Sequence, residues 1–136
     1  MRIGCTASRH GISDEVLRRI RTSLIERWTV AVLAHDEIRE LHHGDCVGGD
    51  VQMATIAREI GYLVIGHPPT NNKFRAFFNS DSELPPDEYI ARNHAIVDAV
   101  TVMLCAPSGS EAEQPRSGTW ATIRYARREG KTVEVF

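Results

Sequence analysis

Residues able to hold a small anionic or hydroxylated ligand collect in three glycine-containing turns of this 136-residue chain. The first, Gly4-Cys5-Thr6-Ala7-Ser8-Arg9-His10-Gly11, carries hydroxyls and a guanidinium. The second is Gly44-Asp45-Cys46-Val47-Gly48-Gly49-Asp50, and the third is Pro115-Arg116-Ser117-Gly118-Thr119. The second and third place glycine immediately before a helical pattern. There a missing Cβ lets backbone approach a phosphate or sugar, and helix N–H groups await an acceptor. The ligand-binding candidates are therefore Gly4, Thr6, Arg9, Gly48, Gly49, Asp50, Ser117, Gly118 and Thr119, with Thr119 both a helix cap and a hydroxyl donor. Any one such turn also reads as an ordinary helix entry; several on one sheet edge favour a site. Asp50 reads either as a cap or as a contact to ribose hydroxyls, because its charge would repel a phosphate.

Arg92-Asn93 adds a fixed fork of donors and a directional amide on a later helix, beside the reading that the pair is simply solvated. Lys73 and Arg75, in a long loop, read as solvated cations or as groups closing over an anion. His42, His43, Asp45 and Cys46 suggest a metal. Yet adjacent strand residues point to opposite faces, and no HExxH or spaced Cys/His set is present, so no metal and no resident cofactor are expected. Cys5, Cys46 and Cys105 have no CxxC spacing and no assignable base, which favours reduced, non-catalytic thiols. Phe74, Phe77, Phe78 and Tyr89 serve equally as stacking faces or as packing.

The elements that must position these groups alternate along the chain. Met1 to Cys5 reads as a strand. Ser13 caps a helix with Leu17, Ile20, Leu24 and Trp28 on one face, running to about Ala34. A strand at Glu40–His43 precedes a helix with Met53, Ala57 and Ile60, closed by Gly61. Tyr62–Ile65 is a strand apolar enough for burial on both faces. Residues 66–87 form a long loop, of a length usually associated with a lid or another functional segment. A helix over 87–98, a strand over 100–105, a polar loop to Ser117, a helix ending at Arg127-Arg128 with Gly130 as its cap, and a strand at Val133–Val135 complete the series. This alternation predicts one α/β domain over residues 1–136: a Rossmann-like three-layer sandwich around a mostly parallel five-stranded sheet. In such sheets ligands bind beyond the carboxyl ends of the strands, where these turns fall.

Composition agrees with a globular domain, at 42% hydrophobic and 25% charged residues. A net charge of −2 and a pI near 6.3 argue against bulk nucleic-acid binding. The absence of a signal-like start and of a long apolar run leads to the expectation of a cytoplasmic chain without membrane contact.

The run His43 to Asp50, then Ala91-Arg92-Asn93 before a strand, then Ser117-Gly118-Thr119 opening a helix, resembles the SLOG superfamily. That group includes the DNA-processing protein DprA, the LOG phosphoribohydrolases and the YpsA/YspA-like proteins, and the last branch is the most similar. The resemblance implies a nucleotide or nucleotide-derived ligand, such as an ADP-ribose-like signal, bound near Gly4 to Arg9, Gly48 to Asp50, Arg92-Asn93 and Gly118-Thr119. It also implies a homodimer. LOG hydrolases place a catalytic Glu three residues after the Thr of their glycine motif, whereas Thr122 stands at that position here. A sensor, carrier or sequestering module is thus the leading expectation. The alternatives are an N-glycosidase or (deoxy)ribosyltransferase using Asp50, Asp45 or Glu88, and a DprA-like DNA- or protein-binding adaptor.

Overall fold

A computed structural model describes residues 1–108 and 117–136. Six strands form one parallel sheet: β1 (Arg2–Ala7), β2 (Glu40–His43), β3 (Leu63–Gly66), β4 (Ser82–Glu83), β5 (Val102–Ala106) and β6 (Thr132–Val135), in the order β4-β3-β2-β1-β5-β6. The expected count of five is corrected to six. The extra strand, β4, lies inside the long 66–87 segment and pairs Ser82 with Ile65 and Glu83 with Gly66. Two exposed polar residues carry no apolar signal. They become a strand only because β3 offers an unpaired edge.

Among the described residues four helices cover the sheet: α1 (Asp14–Leu33), α2 (Gly49–Ile60), α3 (Tyr89–Ala99) and α4 (Gly118–Arg128). Ile20, Leu24, Met53 and Ala57 of α1 and α2 pack with Ile3, Leu41 and Val64 in one apolar cluster. Ile96, Val97, Trp120, Ile123 and Ala126 of α3 and α4 pack with Met103 and Cys105 in a second. The sheet therefore separates two helical layers, as the βα alternation requires. Ser13 caps α1 as expected, its Oγ accepting from the Val16 N–H at 3.3 Å. At α4 the cap is Ser117 rather than Thr119: the Ser117 Oγ accepts from the Trp120 N–H at 3.3 Å, and Thr119 sits inside the first turn.

The chain leaves β1 outward through β2, β3 and β4, then returns to place β5 on the other side of β1. Connections at the carboxyl ends of β1 and β5 thus diverge to opposite faces. This opens the crevice in which doubly wound sheets bind ligands. The 66–87 segment is built rather than irregular throughout. It contains a 3-10 turn at Asn72–Phe74, an antiparallel bridge from Cys46 to Arg75 and a parallel bridge from Pro69 to Asp87. No helix among the described residues is long and apolar enough to cross a membrane.

Candidate functional site

A cavity of about 450 Å³ occupies that crevice. Its floor is the end of β1 and the following loop, Cys5 to His10. One wall is Gly44, Cys46 and Asp50, another is α3, and Ser108 with Ser117, Gly118 and Thr119 closes the far side. Tyr89, Arg92, Asn93 and Ile96 reach it at helical spacing i, i+3, i+4, i+7, so a single face of α3 forms that wall.

Of the candidates named from sequence, Thr6, Arg9, Asp50, Arg92, Asn93, Ser117, Gly118 and Thr119 come together around this one space. Pro115 and Arg116 lie outside the described residues. Gly4, Gly48 and Gly49 do not line it; packing accounts for all three. A Cβ on Gly4 would stand 2.4 Å from the Met103 sulfur. Gly48, at φ +88°, lies so close to the β1 loop that a Cβ would fall 2.3 Å from the Arg9 carbonyl oxygen. The Gly49 N–H donates to the Ser8 carbonyl at 2.9 Å. The glycines of the second turn therefore admit the first turn.

Asp50 does not cap its own helix, although its side chain lines the cavity. Its Oδ2 accepts from the backbone N–H of Gly44 at 3.1 Å and of Cys46 at 3.3 Å, closing the β2–α2 turn on itself. Burial pushes its pKa up to about 6, against the pull of Arg92 and of those two N–H donors. Asp45 is 1% exposed, outside the cavity lining, and holds the long segment in place. Its carboxylate meets Arg75 Nε at 2.9 Å and accepts from the Phe78 N–H at 2.8 Å. Glu88 is exposed at the entry of α3 and outside the lining, accepting from Thr70 Oγ1 at 3.3 Å. Thr122, at the position of the LOG acid, is buried and donates back to the Gly118 carbonyl at 3.0 Å.

The cations are differently disposed. Arg92 is 5% exposed, and its guanidinium donates to the carbonyls of Gly44 and, at 3.2 Å, His67, and to the Asn93 side-chain oxygen at 2.7 Å. Arg9 stacks 4.2 Å from the centroid of Phe74, and Lys73 lies 5.1 Å from the same ring. Among the described residues none of these three makes an ion pair, whereas Arg75 is bound to both Asp45 and Glu83. Opposite them, Gly118 and Thr119 begin α4, so their N–H groups have no acceptor within the helix. Beside Gly118 a Cβ would meet nothing within 4 Å.

Sequence reasoning did not select Ser8, His10, Gly44, Cys46, Ile96 or Ser108 as site residues, although all line the cavity, and of the four aromatics left open between stacking and packing Phe74 and Tyr89 line it. Ile96 shares the helical face of Tyr89, Arg92 and Asn93, a periodicity that would have found it. Gly44 carries a sharper constraint: a Cβ there would lie 2.7 Å from the Arg92 guanidinium and 3.0 Å from the Asp50 carboxylate. The Tyr89 hydroxyl is buried without a hydrogen-bond partner among the described residues. The Cys46 thiol, 3.7 Å from Arg92, is held up by burial and by Asp50, which disfavours a thiolate.

His42, His43 and His67 are all buried. The His42 and His67 rings meet Nδ1 to Nε2 at 2.8 Å, and His42 Nε2 reaches Glu40 at 3.0 Å. His43 faces away from that pair, accepting from the Asp45 N–H at Nδ1 (3.1 Å) and donating from Nε2 to Ser80 Oγ (2.8 Å). This agrees with the opposite orientation expected for neighbours on a strand. Among the described residues no group of three or more His, Cys, Asp or Glu side chains is arranged to hold a metal ion.

No family model and no curated protein matches the chain. Solved structures do. The chain is similar to a molybdenum cofactor binding protein from Rippkaea orientalis, with a TM-score of 0.69 and 20% identity over 98% of this chain and 74% of that one. It is also similar to a molybdenum cofactor carrier protein from Chlamydomonas reinhardtii, with a TM-score of 0.63 and 20% identity over 99% of this chain and 75% of that one. The likeness is one of fold: a Rossmann-like α/β architecture shared by proteins that hold a small cofactor.

Proposed function

We propose that this protein binds an anionic, nucleotide-type small molecule in the β1–β5 crevice and carries or sequesters it unchanged, in line with the SLOG resemblance. One observation carries the reading. Arg9 and Arg92, without ion-pair partners among the described residues, line the same cavity as the open amino end of α4, and Asp50, the one carboxylate in the described lining, has its Oδ2 engaged by two backbone N–H groups. Positive potential from the guanidinium groups and the helix amino end favours a phosphate or comparable anion. Tyr89 and Phe74 offer aromatic faces to a ring. That the structural neighbours hold a cofactor rather than being named for a reaction supports a carrier.

The test is mass spectrometry of small molecules that copurify with the protein. Thermal stabilisation by a panel of nucleotides, ADP-ribose and molybdenum cofactor accompanies it. A ligand recovered intact, bound at least ~10-fold more weakly by Arg9→Ala, is the expected result. Turnover of the bound molecule, or no binding across the panel, would overturn the reading.

A second reading, an N-glycosyl hydrolase or transferase, is favoured by the position of Asp50 on the cavity wall with a pKa near 6, suited to proton transfer. It requires that base release from a nucleoside phosphate occur and be lost in Asp50→Asn.

A further inference from the structure

The two edges of the sheet differ in kind. β4, at one end, is two exposed polar residues, Ser82 and Glu83. So short and polar a strand discourages further pairing. β6, at the other end, is four residues long and carries Val133 and Val135, the latter 36% exposed. In its ladder with β5 the Thr132 N–H donates to the Thr101 carbonyl at 3.2 Å, and the Phe136 N–H to the Cys105 carbonyl at 2.9 Å. Backbone groups alternate in direction along a strand, so Val133 and Val135 turn their N–H and C=O groups to the open side. Among the described residues no strand lies beyond them.

The two sides of this edge carry different chemistry. On the α1 side runs a groove of about 670 Å³ whose wall includes Ser23, Val30, Ala34 and Glu134. Ser23 Oγ and the Arg27 guanidinium both donate to Glu134 Oε2 at 3.0 Å, and the Met1 amine is paired with Asp36. Glu26 is the one further charge in the described lining, and Val30, 67% exposed, offers open apolar surface. The α4 side is basic. Tyr125 turns toward α3, its hydroxyl donating to Asp98 at 2.9 Å. Arg127, exposed and about 200° further round the helix, takes the opposite flank, toward β6. Lys131 precedes β6 at the parity of Val133 and Val135, and so points to the same side. Neither cation makes an ion pair among the described residues. From Gly118 to Phe136 the chain holds four Arg or Lys and two Glu, in a protein whose net charge is −2.

We propose that β6 is a docking edge for an extended segment of a partner protein, which joins the sheet as a seventh strand with acidic side chains on the α4 side and apolar ones on the α1 side. The main-chain groups of Val133 and Val135 supply the pairing, and the alternating side chains supply the selectivity. Charge selects a different protein over a second copy of this chain. An antiparallel β6–β6 pairing about a two-fold axis would bring Arg127 and Lys131 of both copies to the same side of the joined sheet. An acidic segment meets them with the opposite sign. The edge stands apart from the β1–β5 crevice, because no residue of β6 is among those lining it.

The probe is a labelled, end-blocked decapeptide alternating Glu with Val, titrated with the full chain and read by fluorescence anisotropy and by amide exchange in NMR spectra. Saturable binding below millimolar concentration is expected, with the Val133 and Val135 amides passing from free exchange to protection. A peptide with Lys in place of Glu, and one of the same composition with the alternation scrambled, are each expected to bind at least ~10-fold more weakly. Val135→Pro removes an outward N–H and leaves the donors of the β5 ladder in place. It is expected to weaken binding at least ~10-fold with far-UV circular dichroism unchanged. Arg127→Glu, at an exposed position, is expected to move the preference toward the Lys peptide. No binding, binding indifferent to charge and alternation, or binding that both variants leave intact overturns the proposal. So does concentration-dependent protection of Val133 and Val135 without peptide, which would put a second copy on the edge.

Discussion

Asp50→Asn is expected to stabilise the protein near neutral pH, contrary to the usual effect of altering a hydrogen-bonded buried carboxylate. The Asp50 pKa rises from 3.8 to about 6 on folding, chiefly through burial. A raised acid pKa means that the folded state binds the proton more tightly than the unfolded chain does. The resulting stabilisation is complete below pH 3.8 and lost as pH rises through 6. At pH 7.5 the ionised group therefore carries a penalty of ~3 kcal/mol, from 1.36 kcal/mol for each unit of the shift. Asparagine keeps the shape and an oxygen where Oδ2 accepts from Gly44 and Cys46, and it has no charge to desolvate. Urea denaturation at pH 7.5 should show Asp50→Asn more stable by ~2–3 kcal/mol, with Tm roughly 10 °C higher. The difference between the two proteins should shrink steadily from pH 6 to pH 4. A variant destabilised by more than ~1 kcal/mol at pH 7.5, or a difference independent of pH, would refute the assignment of Asp50 as a buried brace at electrostatic cost.

The buried histidines act in the opposite direction. Burial lowers the pKa of His43 to about 4 and of His67 to about 3, so the stability they permit is present above pH 6.5 and falls as pH drops toward those values. Wild type should lose at least ~2 kcal/mol between pH 6.5 and 4 by urea midpoints, and His43→Gln should flatten that loss; an unchanged slope would count against it. Gly48→Ala should destabilise the apo protein by at least ~2 kcal/mol, because the new Cβ meets the Arg9 carbonyl at a positive φ. If Gly48→Ala instead left apo stability intact and weakened only ligand binding, the glycine would serve the ligand and not the packing of the two turns.

The sequence by itself determined the order of strands and helices, because that order is written in local periodicity. Tyr62–Ile65 is a short apolar run, α1 repeats its apolar residues at helical spacing, and Ser13 and Gly61 punctuate helix ends by their own dihedral and hydrogen-bonding preferences. It also determined which turns face one another, since parallel βα units place every β-to-α turn on one edge. Tertiary structure decided what those turns do. Arg92 reaches the Gly44 carbonyl across 48 residues, and the Gly48 backbone fits under a loop that begins at Ser8. A local pattern of residue types does not specify contacts so remote. The same holds for β4, a strand only because β3 supplies its partner, and for Asp50, whose Oδ2 meets two backbone N–H groups that its sequence neighbours do not announce. The glycine turns were legible as places of close approach. Whether backbone or ligand made the approach depended on the packing of segments far apart in the chain.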